Sequence, residues 1–315
     1  MQWWSAVGAL GRFMMRAGAV ILLFVAYQLW GTGLATMRAQ NDLTRTFDAL
    51  LAATPTTTPP STPTTTATTP ALAPTTTVAT APVDLPAPEP GGPVGRLSIP
   101  RIGVDKIIVQ GVDLKWLQKG PGHFPQTPLP GQPGNSAIAG HRTTYDAPFN
   151  RIDELDPGDT ITVTTVQGTF LYVVDAHPGE RGMEGHRIVG PNDVSILDQG
   201  SSNKLTLMAC NPKFSASQRI VVTATLTSPP APPTPLPTDM GVTTDASIDA
   251  LAGGDSSAWP AAMLLSAITI AAWFGVWFTA RRWKRLPAYL LGTPVVLVLM
   301  FFAFEQIAKL LPASY

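Results

Sequence analysis

Three long apolar stretches, one near the start of the chain and two near its end, most constrain what this chain can fold into. From Ala17 to Met37 no charged residue occurs, and Val20-Ile-Leu-Leu-Phe-Val-Ala-Tyr27 forms the centre. That run is longer than a signal peptide's apolar core of roughly 7–15 residues, and no small-x-small cleavage site follows it, so it reads as an uncleaved signal anchor. The other two run from Trp259 to Ala280 and from Pro287 to Ile307. Each reaches the ~20 residues needed to cross a bilayer as a helix. Residues so committed cannot also build a water-soluble core.

The charges beside these stretches orient them. Arg12 and Arg16 precede the first, and Arg281-Arg-Trp-Lys-Arg285 separates the other two, whereas Ile220 to Ala280 contains no Lys or Arg. Basic residues stay on the cytoplasmic side. The pattern predicts a cytoplasmic N-terminus (1–16), a span (17–37), an external middle segment, a second span (259–280), a cytoplasmic loop (281–286), a third span (287–307) and an external tail (308–315). Glu305, near the outer end of the third span, reads as an interfacial carboxylate in reach of headgroups.

The external segment divides by composition. Thr54 to Thr80 is almost entirely Thr, Pro and Ala, and no charge appears between Asp48 and Asp84. Such a sequence buries too little apolar surface to offset its ordering entropy, so 38–94 is expected to be a spacer, although Leu43, Phe47, Leu50 and Leu51 within it share helical spacing. A second Pro-, Asp- and Gly-rich spacer is expected at 227–258. Between them, 95–226 is one domain-sized unit with no internal repeat.

Its pattern is all-β. Short runs rich in Val, Ile, Thr and aromatic residues, punctuated by Gly, Pro and Asp turns, predict strands at 96–99, 106–110, 136–140, 160–165, 169–176, 204–209 and 220–226. A short helix is expected at 113–118. Many short alternating strands suggest a closed or nearly closed antiparallel barrel.

The chemistry centres on Cys210, the only cysteine, which ends the apolar run Lys204-Leu-Thr-Leu-Met-Ala-Cys. A lone cysteine in an exported chain has no internal disulfide partner, so it is either a buried structural thiol or a nucleophile. His141, after Ala-Ile-Ala-Gly, also ends an apolar strand and is a candidate acid and base. Arg219 opens the strand after the cysteine loop, where a permanent charge would stabilise an oxyanion. The remaining histidines, His123, His177 and His186, fall in Gly/Pro-rich segments and read as locally bonded loop residues. Four scattered histidines and one cysteine match no zinc-ligand spacing, and no cofactor is expected. Net charge is zero and no basic block suits nucleic acid.

The string Thr206-Leu-Met-Ala-Cys210, followed by Arg219, resembles the Thr-Leu-x-Thr-Cys…Arg signature of sortases, with His141 in the family's order His, Cys, Arg. Gly140-His-Arg-Thr-Thr-Tyr-Asp-Ala-Pro-Phe149 and Cys210-Asn-Pro-Lys-Phe-Ser-Ala-Ser-Gln-Arg219 are most similar to actinobacterial class E sortases. The resemblance spans the whole β unit. It departs at Ala209, where the family usually has Thr, a residue thought to help seat substrate.

The resemblance implies a sortase-like closed β-barrel and transpeptidation at a Leu-(Pro/Ala)-x-Thr-Gly sorting motif, with His141, Cys210 and Arg219 catalytic. Tyr145, Thr206 and Ala209 are the implied substrate contacts, and the 177–203 loop would line the groove. The implied partners are surface proteins bearing the motif and an accepting amine, on a peptidoglycan precursor or a pilin. Glu180, Glu184 and Asp193 resemble the calcium carboxylates of some class A members, but three carboxylates in a long loop are usually just solvated, and no metal is expected.

The approach Asp84-Leu-Pro-Ala-Pro-Glu-Pro90 lacks the Asp-Pro-aromatic plug of pilus-building class C enzymes, which favours surface-protein anchoring over pilus polymerisation. Leu236-Pro-Thr-Asp-Met240 and Leu311-Pro-Ala-Ser-Tyr315 are not sorting signals followed by apolar tails. A non-catalytic tethered barrel that binds wall peptides is the rival from another class.

Overall fold

The computed structural model describes residues 2–53, 87–179, 182–235, 256–283 and 285–310. The Thr/Pro run, most of the second spacer, Asp84, Glu180 and both Leu-Pro strings near the C-terminus lie outside these.

Eleven strands form among the described residues: β1 (Pro93–Ile99), β2 (Val104–Gln110), β3 (Gly122–His123), β4 (Asn135–Ala139), β5 (Thr160–Thr165), β6 (Gly168–Val174), β7 (His177–Gly179), β8 (Gly182–Glu184), β9 (Arg187–Val189), β10 (Lys204–Asn211) and β11 (Gln218–Leu226). Eight of them close into a ring in the order β10-β4-β3-β2-β1-β5-β6-β11, because β11 also pairs with β10. β9 adds to the N-terminal end of β11, and β7 and β8 make a separate hairpin.

The expected barrel is present, with one correction. It is not purely antiparallel, since β4 runs parallel to β10, and β3 parallel to β2. Hairpin signals in sequence report local antiparallel pairs, whereas these two pairings join strands that no tight turn connects.

Alternation along the strands fills the interior. Leu205, Leu207 and Ala209 from β10, Ile138 from β4 and Ile220, Val222 and Ala224 from β11 join one core with Leu97, Ile99, Ile161, Val163 and Tyr172. The opposite face of β4, β10 and β11 carries Ala137, Ala139, Met208 and Val221. These pack under Leu117, Phe124, Ile196 and Leu197 in a second cluster. His123 is part of this architecture. It lies in β3 and is fully buried, correcting its assignment to a loop. Nδ1 meets Gln110 Oε1 at 2.8 Å and Nε2 meets the Pro128 carbonyl at 2.9 Å, and burial lowers its pKa to about 4.

The N-terminal segment is helical from Gln2 to Ala53: α1 (Gln2–Ala26), a π-helical turn (Tyr27–Gly31) and α2 (Thr32–Ala53). Residues 38–53, expected to belong to the spacer, are thus helix. One stripe of α2, consisting of Thr32, Thr36, Gln40, Leu43 and Phe47, is buried. Leu43 and Phe47 pack on Ile107 and Val109 of β2. Gln40 Nε2 donates to the carbonyls of Ile107 (3.0 Å) and Lys119 (2.8 Å), while its Oε1 accepts from Ile107 N–H (2.8 Å). Thr36 donates to the Gln118 carbonyl at 2.8 Å. Gly120 permits this approach, because a Cβ there would lie 2.2 Å from Gln40 Nε2. From Thr32 onward, the stretch expected to form the first span therefore packs on the barrel. The apolar portion of this helix runs from Met14 to Ala26.

Two further helices, α4 (Trp259–Arg282) and α5 (Arg285–Leu310), are long and apolar enough to cross a membrane. Tyr27 and Phe24 pack edge-on against Phe301 and Phe304 of α5 at 5.1 Å, joining the N-terminal helix to the C-terminal pair.

Gln40→Ala leaves two buried backbone groups of Ile107 and the partly buried Lys119 carbonyl without their partner. We expect it to destabilise the barrel by about 1–3 kcal/mol in chemical unfolding, with Leu50→Ala, on the exposed face of α2, near neutral.

Candidate active site

Cys210, Arg219 and His141 reach one cleft because of the period of the pleat. Side chains alternate across a strand, so Met208 and Cys210 share one face of β10, Val221 and Arg219 one face of β11, and Ala137 and Ala139 one face of β4. His141 is the next position in the β4 series. Cys210 is directly opposite Arg219 in the antiparallel β10–β11 register, and Met208 is opposite Ala139 in the parallel β4–β10 register. The Gly140 N–H donates to the Met208 carbonyl at 3.0 Å and carries the β4 end past β10. All three candidate side chains line a single narrow cleft, with Leu117, Ala139, Gly140, Met208 and Ala209 completing its wall.

The side chains of the cleft are largely buried. His141 is 5% exposed and Arg219 2%, while the Cys210 thiol is half-buried. Burial pushes the thiol pKa up, and the positive charges of Arg219 and Arg142 oppose that rise without cancelling it. Arg219 Nη1 donates to the carbonyls of Ala216 (2.8 Å) and Gln218 (3.0 Å), which pins the guanidinium to its own loop. Its buried Nε has no hydrogen-bond partner among the described residues.

The histidine loop is held tightly. Tyr145, Asp146 and Ala147 all have positive φ (53°, 64° and 38°), an uncommon conformation for non-glycine residues. Such a run persists only where neighbours fix it. The Tyr145 N–H donates to Thr32 Oγ1 at 3.2 Å, Asp146 pairs with Lys106, and the Phe149 N–H donates to the His141 carbonyl at 3.1 Å. Phe149 packs over Gly140, where a Cβ would meet its ring at 2.6 Å. The Tyr145 ring lies 4.9 Å from that of His141 at 42°.

Of the implied substrate contacts, Tyr145 is beside the histidine and Ala209 contributes to the cleft wall, its methyl group belonging to the barrel interior. Thr206 is not brought to the cleft. It is 1% exposed, and its hydroxyl donates to Asn135 Oδ1 at 2.7 Å, which ties β10 to β4.

The segment expected to line the groove forms the β7–β8 hairpin, β9 and a 3-10 turn at Val194–Leu197. Its β9 pairs with Arg219–Val221, beside the cleft. Within it, Glu184 meets His186 at 3.4 Å and Asp193 caps Ser195 through its N–H and hydroxyl. No group of three potential metal ligands gathers among the described residues.

Arg142 is a residue that sequence reasoning passed over. It is buried, donates to the Cys210 carbonyl (3.3 Å) and to Asn211 Oδ1, and pairs with Asp153 at 3.2 Å. It clamps the histidine loop to the cysteine strand. The one available signal was its adjacency to His141.

Residues 97–227 match the family model described as Sortase domain. The solved structure of sortase E from Streptomyces avermitilis is 34% identical, with 90% of that chain and 44% of this one covered and a TM-score of 0.38. The β unit of this chain is thus similar to sortase domains. The chain is also similar to sortase SrtE1 of Streptomyces coelicolor, 28% identical over 68% of this chain and 55% of the relative, and to sortase D of Bacillus subtilis, 33% identical over 40% and 58%. The chain thus spans little more than half the length of these two sortases.

The raised thiol pKa has a direct readout, since only the thiolate is alkylated rapidly. We expect the rate of Cys210 modification by iodoacetamide, followed by intact mass, to keep climbing above the ordinary thiol range. Arg219→Ala removes one opposing charge and should move that rise to still higher pH.

Proposed function

We propose that this chain is a membrane-anchored cysteine transpeptidase that cleaves a Leu-(Pro/Ala)-x-Thr-Gly-like motif between Thr and Gly and transfers the acyl group to a cell-wall amine. The observation that carries this reading is the shared cleft, in which thiol, imidazole and guanidinium line one wall. The match of residues 97–227 to the Sortase domain model supports the reaction class.

In this mechanism the Cys210 thiol gives its proton to His141, and the resulting thiolate attacks the Thr carbonyl carbon so that a C–S bond forms. The oxyanion of the tetrahedral adduct accepts from the guanidinium of Arg219, which the Ala216 and Gln218 carbonyls hold in place. His141 protonates the departing glycine nitrogen, the C–N bond breaks, and a thioester remains on Cys210. An incoming amine then loses a proton to His141 and attacks the thioester, releasing the thiolate. Burial of the cleft restricts the approach of water at that step.

Two apolar helices suggest membrane anchoring. The basic residues Arg281, Arg282 and Arg285 cluster between them, and Arg12 and Arg16 precede the apolar part of α1. By the positive-inside rule both groups are cytoplasmic, and the barrel is outside. Substrates held in the same membrane or wall are then presented at high effective concentration.

The test is intact mass spectrometry of the full chain with Leu-Pro-x-Thr-Gly and Leu-Ala-x-Thr-Gly peptides. We expect an acyl adduct on Cys210 that disappears when an amine acceptor is supplied, with transfer product exceeding hydrolysis. Cys210→Ala should form neither. Arg219→Ala should lower kcat about 10²–10³-fold, as loss of an oxyanion donor does. Joining of peptide to amine by Cys210→Ala would overturn the assignment.

A further inference from the structure

Where α2, the α3 turn (Leu114–Leu117) and the end of α5 meet, there is a cavity of about 160 Å³. Lys115 and Lys119 line it from the barrel side and Lys309 from the last turn of α5, with Tyr27, Tyr145 and Glu305 also in the wall. Three ammonium groups therefore face one carboxylate. Lys309 lies 3.4 Å from Glu305, and Lys115 has Asp113 only at 4.0 Å. Lys119 has no carboxylate within 4 Å among the described residues. The Lys115 and Lys119 ammoniums sit 4.8 and 4.6 Å from the centre of the Trp116 ring, which gathers both charges on one side of the cavity.

The position of the cavity narrows what it would hold. Tyr27 packs against Phe301 and Phe304, and Phe304 immediately precedes Glu305, with Lys309 one turn further on. The cavity is therefore level with the end of the apolar part of α5. In the membrane-anchored reading above, on which this inference rests, that is the depth of the outer headgroups, where Trp, Tyr and Lys concentrate. We propose that Lys115, Lys119 and Lys309 form a binding site for the phosphate of an anionic membrane lipid. Phosphate oxygens are strong acceptors for ammonium groups, and basic pockets beside membrane helices select anionic headgroups in this way. A lipid already in the bilayer outcompetes free phosphate because the helices hold the cavity at its surface. The wall of the site includes Tyr145, whose ring lies tilted beside that of His141, so a bound headgroup would contact the histidine loop.

The experiment uses the full chain in nanodiscs of phosphatidylcholine with and without phosphatidylglycerol, released and weighed by native mass spectrometry. We expect retained phosphatidylglycerol in preference to phosphatidylcholine. The Lys115→Gln/Lys119→Gln pair should weaken that retention about thirtyfold, and Lys309→Gln, acting from the other element, several-fold. Inorganic phosphate added in excess should not displace the lipid. Equal retention of the two lipids, or retention unchanged in the folded variants, overturns the site. Lysine-dependent thermal stabilisation by inorganic phosphate without lipid retention assigns the cavity to a soluble anion and overturns the lipid proposal. Failure of the anchoring reading shows separately: the chain would then remain in solution without detergent and fail to enter nanodiscs. Loss of peptide transfer with lipid retention intact would sink the transpeptidase assignment alone.

Discussion

The double pairing of β10 is the constraint on which the rest of the structure depends. It bonds to β11 in antiparallel register and to β4 in parallel register, and those two ladders close the barrel. The same ladders fix which face each neighbouring side chain takes. A slip of one residue in either would turn Arg219 or His141 toward the interior, where Leu207, Ile138 and Val222 pack. Register set by apolar burial thus also sets the geometry of the cleft. Thr206, bonded to Asn135, contributes to that register rather than to the reacting atoms.

Much of the barrel was legible because its strands alternate plainly: 160–165 matches the observed bounds, and 96–99, 106–110, 204–209 and 220–226 lie within observed strands. The missed strands are β3 and β7 to β9, each two or three residues long. At that length no period can be read. The parallel pairings were illegible for a different reason, since nothing local marks which distant strands will meet. His141, Cys210 and Arg219 were found because each stands at an apolar strand end. Arg142 was missed because a buried arginine bound to a backbone carbonyl looks, in sequence, like a surface charge.

The N-terminal helix carries a similar lesson. Its docking stripe is Thr32, Thr36, Gln40, Leu43 and Phe47, and more than half of it is polar. Hydrophobic periodicity detects only the last two. The first three reach the barrel by hydrogen bonding to the backbone of the β2–β3 region and of the histidine loop, where Gly120 leaves room for the glutamine amide. The barrel is consequently held directly on a helix continuous with α1. The π-helical turn at Tyr27–Gly31 lies between the portion that packs on α5 and the portion that packs on the barrel.

The parallel contact between β4 and β10 has a further consequence for how the molecule is made. Its partners are separated by the whole stretch from Ala139 to Lys204, so ring closure is a late, non-local event during folding, one that intrinsically slow topologies share. Until that event the sulfur of Cys210 has no cleft around it and stands open to oxidants and stray electrophiles. Maturation is therefore a race between sheet closure and chemical damage, and whatever speeds the joining of these two distant strands protects the thiol.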